Sequence, residues 1–298
     1  MRVTDRLLQN SYLYNLNTNK NSITKTQEQL TTQSKINRPS DSPLGTNRLL
    51  RLNNEMQNIS TYLDNVTNSF ANVDATINAM DGIQNQLQSV LVDLTSVNNA
   101  TIEGNLDTFA DQLQVSLDSI LEYANSNFNG KYLFGGTDNS QAPYGKNGTP
   151  PPEYIQNTAD AGGQQKIKIS GNISQKINIT GEELFGTIDG TDMFNKLNDI
   201  IVNLRSGVKP DASEVKEMED IYGKVLNKLS VAGNIKNRLL DTEELLKTQE
   251  LNVEELISKE KDVDMARAIV DYENQQFNLD LTYKVSSMIL PKSLLDYL

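Results

Sequence analysis

The most constraining feature of this chain is a hydrophobic repeat between positions 49 and 94. Positions taken at alternating spacings of three and four are apolar at thirteen of fourteen places, with Gln84 as the exception. The apolar positions are Leu49, Leu52, Met56, Ile59, Leu63, Val66, Phe70, Val73, Ile77, Met80, Leu87, Leu91 and Leu94. This spacing predicts a helix that packs along other helices as in a coiled coil. Such a helix would extend roughly 70 Å, whereas a compact chain of this length has a radius of gyration of about 19 Å.

Further helical patterns flank a segment of different character. Apolar stripes indicate helices at about 106–126, at 192–205 and from 212 onwards, and a last helix runs to about residue 290. Residues 129–190 are rich in Gly, Pro, Asn and Thr, and the isoleucines from Ile167 to Ile179 alternate as in half-buried strands. The predicted fold is mainly α, an elongated rod of long antiparallel helices forming a coiled-coil-like bundle, with a small inserted β domain at the tip.

Two breaks interrupt the helical pattern at similar distances from the two ends of the chain. The first is KINRPSDSPLG at 35–45, where Pro39 is expected to help end one helix, and Ser42 and Pro43 to begin the next as N-cap and first residue. The second is SKEKDVD at 258–264, where Asp262 is the predicted N-cap of the last helix. Antiparallel pairing of the long helices would place the two breaks side by side.

These breaks divide the chain into three predicted domains. Residues 1–40 with 260–298 form a terminal helix pair, residues 41–128 with 191–259 form a helical bundle, and residues 129–190 form the inserted β-rich domain. In the terminal pair, Leu16, Ile23 and Leu30 repeat at seven, but polar residues fill the positions between them. Since so few apolar contacts make a helix pair marginal, we expect the ends to become ordered when they pack against other copies or partners; the alternative is ordinary pairing of the two ends within one chain.

Composition excludes several classes of function. The chain has no Cys and no His, which removes thiol chemistry, the usual general base near neutral pH and the commonest metal ligand. Acid clusters such as Glu217, Glu219 and Asp220 lack the spacing of a calcium loop, so we predict no catalytic, cofactor-binding or metal site. A net charge of −12 argues against nucleic acid. No run is long and apolar enough for a membrane span or a cleaved secretory signal.

The charge is unevenly distributed along the chain. Residues 1–60 carry eight Lys and Arg against four Asp and Glu, whereas residues 61–130 carry nine acids and no base. Two interpretations stay open: a solvated acidic helix face, or a surface between subunits that meets the basic N-terminal part of another copy.

Several motifs, in this order along the chain, resemble the flagellar hook–filament junction proteins of the flagellin superfamily. They are MRVTDRLL at the start, KINRPSDSPLG at 35–45, NGKYLFGGTD at 129–138, the GEELFG that follows the isoleucine-rich segment, and the final SLLDYL. The resemblance covers nearly the whole chain, with Ser42 standing where the family often repeats an acid.

The resemblance implies a function, a location and partners. Such proteins have no enzymatic activity and form a ring between hook and filament, where they contact the first hook-associated junction protein on one side and flagellin on the other. They reach this extracellular position through the flagellar type III export apparatus, and in the cytoplasm an export chaperone covers their C-terminal part.

The resemblance also implies roles for particular residues. The hinge between the axial inner tube and the bundle would comprise Asn37, Arg38, Pro39, Ser40, Asp41, Ser42 and Pro43, with Asp262 on the second break. The tube helices would be lined by Val3, Leu7, Leu16, Ile23 and Leu30, and by Ile269, Tyr272, Leu279, Tyr283 and Leu290. Two alternatives stay open: flagellin itself, or a coiled-coil secretion-tip or fibre protein.

Overall fold

The computed structural model describes residues 2–99, 106–148, 153–156, 162–186 and 192–289. The chain forms two compact units. The terminal unit is Met1–Asn58 with Gln249–Leu298, and the central unit is Ile59–Thr248. Among the described residues, no helix combines the length and the apolar character that crossing a membrane requires. The three-domain division drawn from the sequence stays a prediction.

Long helices dominate the described chain, as predicted. The helices are α1 Arg2–Thr32, α2 Pro43–Asn99, α3 Leu106–Ala124, α4 Gly181–Phe185, α5 Met193–Arg205, α6 Ala212–Lys261 and α7 Met265–Ile289. The strands are β1 Asn127–Phe128, β2 Lys131–Tyr132, β3 Tyr144–Asn147, β4 Glu153–Gln156, β5 Lys166–Lys168 and β6 Ser174–Lys176. The prediction of a mainly α fold with a few small strands is confirmed.

The predicted repeat on α2 contains two series of residues spaced seven apart, which form two seams along the helix. The structure buries one of these seams, and buries a different series of residues in place of the other. The first seam repeats at seven and is fully buried: Ile59, Val66, Val73, Met80, Leu87 and Leu94. The second buried seam is Ser69, Thr76, Ile83, Val90 and Val97, whereas Phe70 and Ile77 of the predicted seam are only half-buried. The hydroxyl of Thr76 donates to the Asn72 carbonyl at 2.9 Å, which allows this polar residue to be buried within the helix. Apolarity alone therefore misplaced the second seam.

Local capping sets the starts of α5 and α6. The Asp192 carboxylate accepts a hydrogen bond from the Phe194 N–H, and burial raises the pKa of this carboxyl to about 6. At α6, Asp211 accepts from the Glu214 N–H at 2.8 Å, while Glu214 accepts from the Asp211 N–H at 2.9 Å. The two bonds form a reciprocal capping box, for which the sequence has the required spacing of three residues between Asp211 and Glu214. Helices α3 and α5 pack together through buried side chains, among them Leu117.

Three separate two-stranded antiparallel hairpins make up the β structure of the described chain. Asn129 and Gly130 both have positive φ, 52° and 75°, which is the type I′ turn that joins β1 to β2. In β5–β6 the predicted alternation fails at Ile173, which lies in the connecting turn and is 49% exposed, whereas Ile169 and Ile177 are buried. A tight turn reverses the chain there, so the period of two does not continue through it.

Candidate assembly site

The two helix breaks lie side by side in the terminal unit. The Lys35 N–H donates to the Lys261 carbonyl at 2.6 Å, and the Val263 N–H donates to the Gln33 carbonyl at 3.1 Å. Ser34 and Asp262 form an antiparallel bridge between these bonds. Backbone hydrogen bonds therefore hold the two breaks together, and we call this arrangement the paired hinge.

Helix α1 ends well before Pro39, which was expected to help end it. Its last residue is Thr32, and Gln33 follows with a φ of 56°, in the left-handed conformation that commonly terminates helices. Pro39 instead occupies the second position of a turn, which the Asp41 N–H closes on the Arg38 carbonyl at 2.9 Å. The expectation that Pro39 helps end α1 was therefore wrong.

The Asp41 carboxylate organises the first break. It accepts hydrogen bonds from the Arg38 N–H at 2.9 Å and the Asn37 N–H at 3.2 Å, and it pairs with Lys25 at 3.2 Å. The Arg38 hydrogen bond first, and then the Lys25 ammonium, hold the pKa of this carboxyl below its ordinary value. Ser40 lies in the same turn. The charged form of Asp41 thus joins α1 to the loop that leads into α2.

The start of α2 is tightly packed. Pro43 is its first residue, and the Ser42 hydroxyl accepts from the Gly45 N–H at 3.1 Å, as the sequence predicted. A Cβ atom on Gly45 would lie 2.5 Å from Ile36 Cδ1 and 3.1 Å from Glu260 Oε1. Gly45 therefore allows the first break and the end of α6 to approach α2 closely.

Asp262 is not the N-cap of α7, which corrects the sequence prediction. Its carboxylate accepts from the Ser258 hydroxyl at 2.6 Å, within the end of α6. The cap is Asp264, which accepts from the Arg267 N–H at 3.1 Å. The backbone bridge to Ser34 fixes Asp262 before the helix begins, and this long-range contact was absent from the local pattern.

Helices α1 and α7 pair antiparallel through a seam that is rich in polar residues. Asn19 donates to the Thr282 hydroxyl at 3.3 Å, and Gln275 has a buried Oε1 without a hydrogen-bond partner among the described residues. Of the predicted tube residues, Leu16, Ile23, Leu30, Tyr272 and Leu279 are half-buried, on the faces that these helices turn towards each other. Among the described side chains, polar residues therefore share the α1–α7 seam with apolar ones.

The remaining predicted tube residues are exposed or lie outside the described side chains. Leu7 is 69% exposed, Ile269 46% and Tyr283 44%. The side chain of Val3 and the whole of Leu290 lie outside the described part of the chain. In each helix, one face thus packs against the other helix of the pair, whereas the opposite face is exposed.

Helix α7 has a second apolar stripe, absent from the predicted tube residues, which we call the outer stripe. It consists of Val270, Phe277, Leu281 and Val285, and these side chains are between 41% and 62% exposed. Their spacings of seven, four and four put them on one face, on the opposite side of α7 from its half-buried residues Tyr272 and Leu279. The spacing of these residues is present in the sequence, but the prediction assigned only one apolar stripe to this helix.

Exposed apolar residues continue on the outer face of α1. Leu7 and Tyr14 lie seven residues apart and are 69% and 73% exposed. Single exposed apolar side chains are common, whereas a stripe of them along a helix marks a surface that another molecule covers. Among the described residues, no three metal-ligating side chains converge on one point.

Comparisons with known proteins point to one group. Residues 3–139 match the bacterial flagellin N-terminal helical region. Over 285 residues the chain is 24% identical to flagellar hook-associated protein 3 of Escherichia coli (strain K12), covering 86% of this chain and 87% of that protein.

Solved structures show the same fold. A putative flagellar hook-associated protein from Vibrio parahaemolyticus aligns with a TM-score of 0.64 at 20% identity, covering 74% of this chain and all (100%) of that one. The flagellar junction protein FlgL from Legionella pneumophila aligns with a TM-score of 0.57 at 14% identity, covering 72% of this chain and 100% of that one.

Proposed function

We propose that this chain forms the hook–filament junction of the bacterial flagellum, on the basis of its similarity to flagellar hook-associated protein 3 and the match of residues 3–139 to the bacterial flagellin N-terminal helical region. In this proposal it adapts the hook-associated ring to the flagellin filament. Its role is structural and involves no catalysis.

One observation carries the structural part of the proposal. Helix α7 has apolar side chains both on the side towards α1 and on the outer stripe, so the α1–α7 pair leaves much of its apolar surface uncovered within the chain. Phe277 is 62% exposed, so completing its burial would contribute about 1–2 kcal/mol. Covering this surface in an axial assembly would stabilise a pair whose own seam is partly polar.

The predicted tube residues and the predicted hinge residues would have different parts in this assembly. The exposed tube residues Leu7, Ile269 and Tyr283 would meet other copies of the chain, whereas the half-buried ones would hold α1 against α7. The paired hinge would set the path of the chain between the tube helices and α2 and α6. Its rigidity would come from Asp41, Ser42 and the backbone bridge at Asp262.

The proposed partners follow the same premise. They are further copies of the chain in a ring, the first hook-associated junction protein, flagellin, and an export chaperone that covers the C-terminal part in the cytoplasm. Export through the flagellar type III apparatus would bring the chain to the junction. No contact with nucleic acid or membrane is proposed.

Flagellin is the main alternative, because it shares the N-terminal helical region. The similarity to hook-associated protein 3 extends over 86% of the chain, well beyond the 3–139 segment shared with flagellins. This extent favours the junction protein over the filament subunit.

Deleting the gene tests the proposal. We expect hooks to remain on the cell while flagellin appears in the medium without forming filaments, because filament growth would lack its junction. Electron microscopy of cells and gel analysis of the medium measure both. Complementation with the intact gene is the control, and normal filaments in the deletion strain would contradict the junction function.

A further inference from the structure

A shallow groove of about 550 Å³ runs along the outward face of the first turns of α2. It is lined by Leu44, Asn47, Arg48, Leu50, Arg51 and Asn54. The spacings among them are those of one helix face, directed away from the half-buried Leu49, Leu52 and Met56. A groove formed along a single helix has the shape that receives a ridge of side chains from another helix.

The groove is both apolar and basic. Leu44 is 66% exposed and Leu50 56%. Arg48 pairs with Glu260 only at 3.6 Å, and within the described part of the chain Arg51 has no ion pair. In a chain of net charge −12, such a surface fits an acidic partner that also has apolar side chains.

The last turns of α6, in the same terminal unit, have the complementary character. Leu251 is 66% exposed, and the neighbouring Glu254 is exposed and forms no ion pair within the described ranges. Glu255 lies on the same outward face and pairs with Lys259 one turn along. This face points away from Val253, which is buried. We call this surface the acidic ridge.

The acids of residues 61–130 are a weaker match for the groove. Among those that the structure describes, three form ion pairs: Asp74 with Lys236, Asp111 with Arg205, and Asp118 with Lys146. The acidic ridge, in contrast, combines a largely exposed leucine with a carboxylate one turn away.

We propose that the α2 groove of one copy receives the acidic ridge on α6 of a neighbouring copy. Leu251 would pack between Leu44 and Leu50, and Glu254 would pair with Arg51. Because the two surfaces differ, the contact is head-to-tail, and a repeated head-to-tail contact closes into a ring or extends as a helix. The inference rests on the proposed junction function and assigns the lateral contact within that ring.

Cross-linking between copies tests the inference directly, since the natural chain has no cysteine. In the deletion strain, full chains with Asn47→Cys and Leu251→Cys together are assembled and treated with a short bismaleimide cross-linker. We expect a ladder of multimers of this chain from isolated flagella. When the two single variants, Asn47→Cys and Leu251→Cys, are co-expressed in one cell, cross-linked dimers should form. Neither variant expressed alone should give them.

The matched control pairs Asn47→Cys with Leu256→Cys. Leu256 is also an exposed leucine of α6, 49% exposed, but it lies about 140° around the helix from Leu251. An equal ladder from this control, no ladder from assembled flagella, or cross-links to another flagellar protein would each overturn the inference. If the deletion strain lacks filaments but no cross-link forms, the proposed contact between copies is wrong while the junction function is still supported.

Charge reversal gives a second, independent readout. Arg51→Glu should reduce the number of filaments per cell several-fold, because it places two carboxylates face to face. Adding Glu254→Arg should restore the number by re-forming the pair in reverse order. Failure of the double variant to recover, when each variant purifies as a folded chain, would contradict the proposed pairing.

Discussion

Asp41 connects the protonation of one side chain to the stability of the paired hinge. Since hydrogen bonds and Lys25 lower its pKa in the folded chain, the carboxylate stabilises the fold above its unfolded pKa, near 3.8. That contribution is lost as the pH falls through the lower, folded pKa. We expect the Lys35 and Val263 amides, which bond across the hinge, to lose hydrogen-exchange protection in acid.

Asp41→Asn should flatten this acid dependence, because the amide does not titrate and bonds less strongly to the two N–H groups. Amide exchange measured from about pH 6 down to about pH 3 compares the variant with the wild type. Asp280→Asn, on an exposed position of α7, is the control. An unchanged acid slope in Asp41→Asn would show that this carboxylate does not hold the hinge.

Gly45 and Gly223 offer a matched pair of glycines inside helices. Gly45→Ala should destabilise the chain by about 1 kcal/mol, because the new methyl group must displace the Ile36 side chain and the Ser42 hydroxyl that caps α2. Gly223→Ala, where a Cβ would meet nothing within 4 Å, should stabilise it by about 0.5–1 kcal/mol. Urea unfolding measures both, and a gain in stability for Gly45→Ala would rule out the close approach.

Single residues were predictable from the sequence where their role is local. The caps Ser42 and Asp211 bond to amides two or three positions away, so a short pattern contains all the information. Asp262 and Gln33 were missed, because a bridge between residues more than two hundred positions apart fixes their conformations. Pro39 drew attention as a helix breaker, but it serves the turn that presents Asp41.

At the scale of elements, α2 shows the limit of apolar periodicity. The seam from Ile59 to Leu94 was predicted, because all six positions are apolar. The other seam begins with Ser69 and Thr76, and a hydroxyl bonded within its own helix is inexpensive to bury. Hydrophobic patterns do not report such positions, so the register of the second seam required the structure.

The outer stripe of α7 makes an element-scale prediction. Phe277→Ser should change the unfolding free energy of the purified chain by less than about 0.5 kcal/mol, because the side chain is largely exposed in the isolated chain. The same variant should fail to support filaments in the deletion strain. Leu279→Ser, on the face towards α1, should instead lower stability.

Urea unfolding and filament counts by electron microscopy separate the two variants. The prediction fails if Phe277→Ser forms filaments as the wild type does, since the outer stripe would then have no partner in the assembly. It also fails if that variant unfolds as readily as Leu279→Ser.

At the scale of the whole molecule, the sequence was sufficient for the mainly α fold and for the resemblance to the junction proteins. Both depend on long repeated patterns and ordered motifs, which are properties of a single chain. The surfaces between copies were only partly predictable. The sequence does not show which face of a helix packs within its own chain. An apolar stripe that contacts a neighbouring copy therefore cannot be recognised until the structure shows that it is exposed.

We propose that this chain forms the hook–filament junction through apolar faces of α1 and α7 that the single chain leaves exposed. Electron cryo-microscopy of the junction in flagella from the strain that carries this gene tests it most directly. We predict a ring of copies between hook and filament, with the outer stripe from Val270 to Val285 buried against neighbouring copies. Copies distributed along the filament, or an outer stripe that faces solvent within the ring, would contradict this proposal.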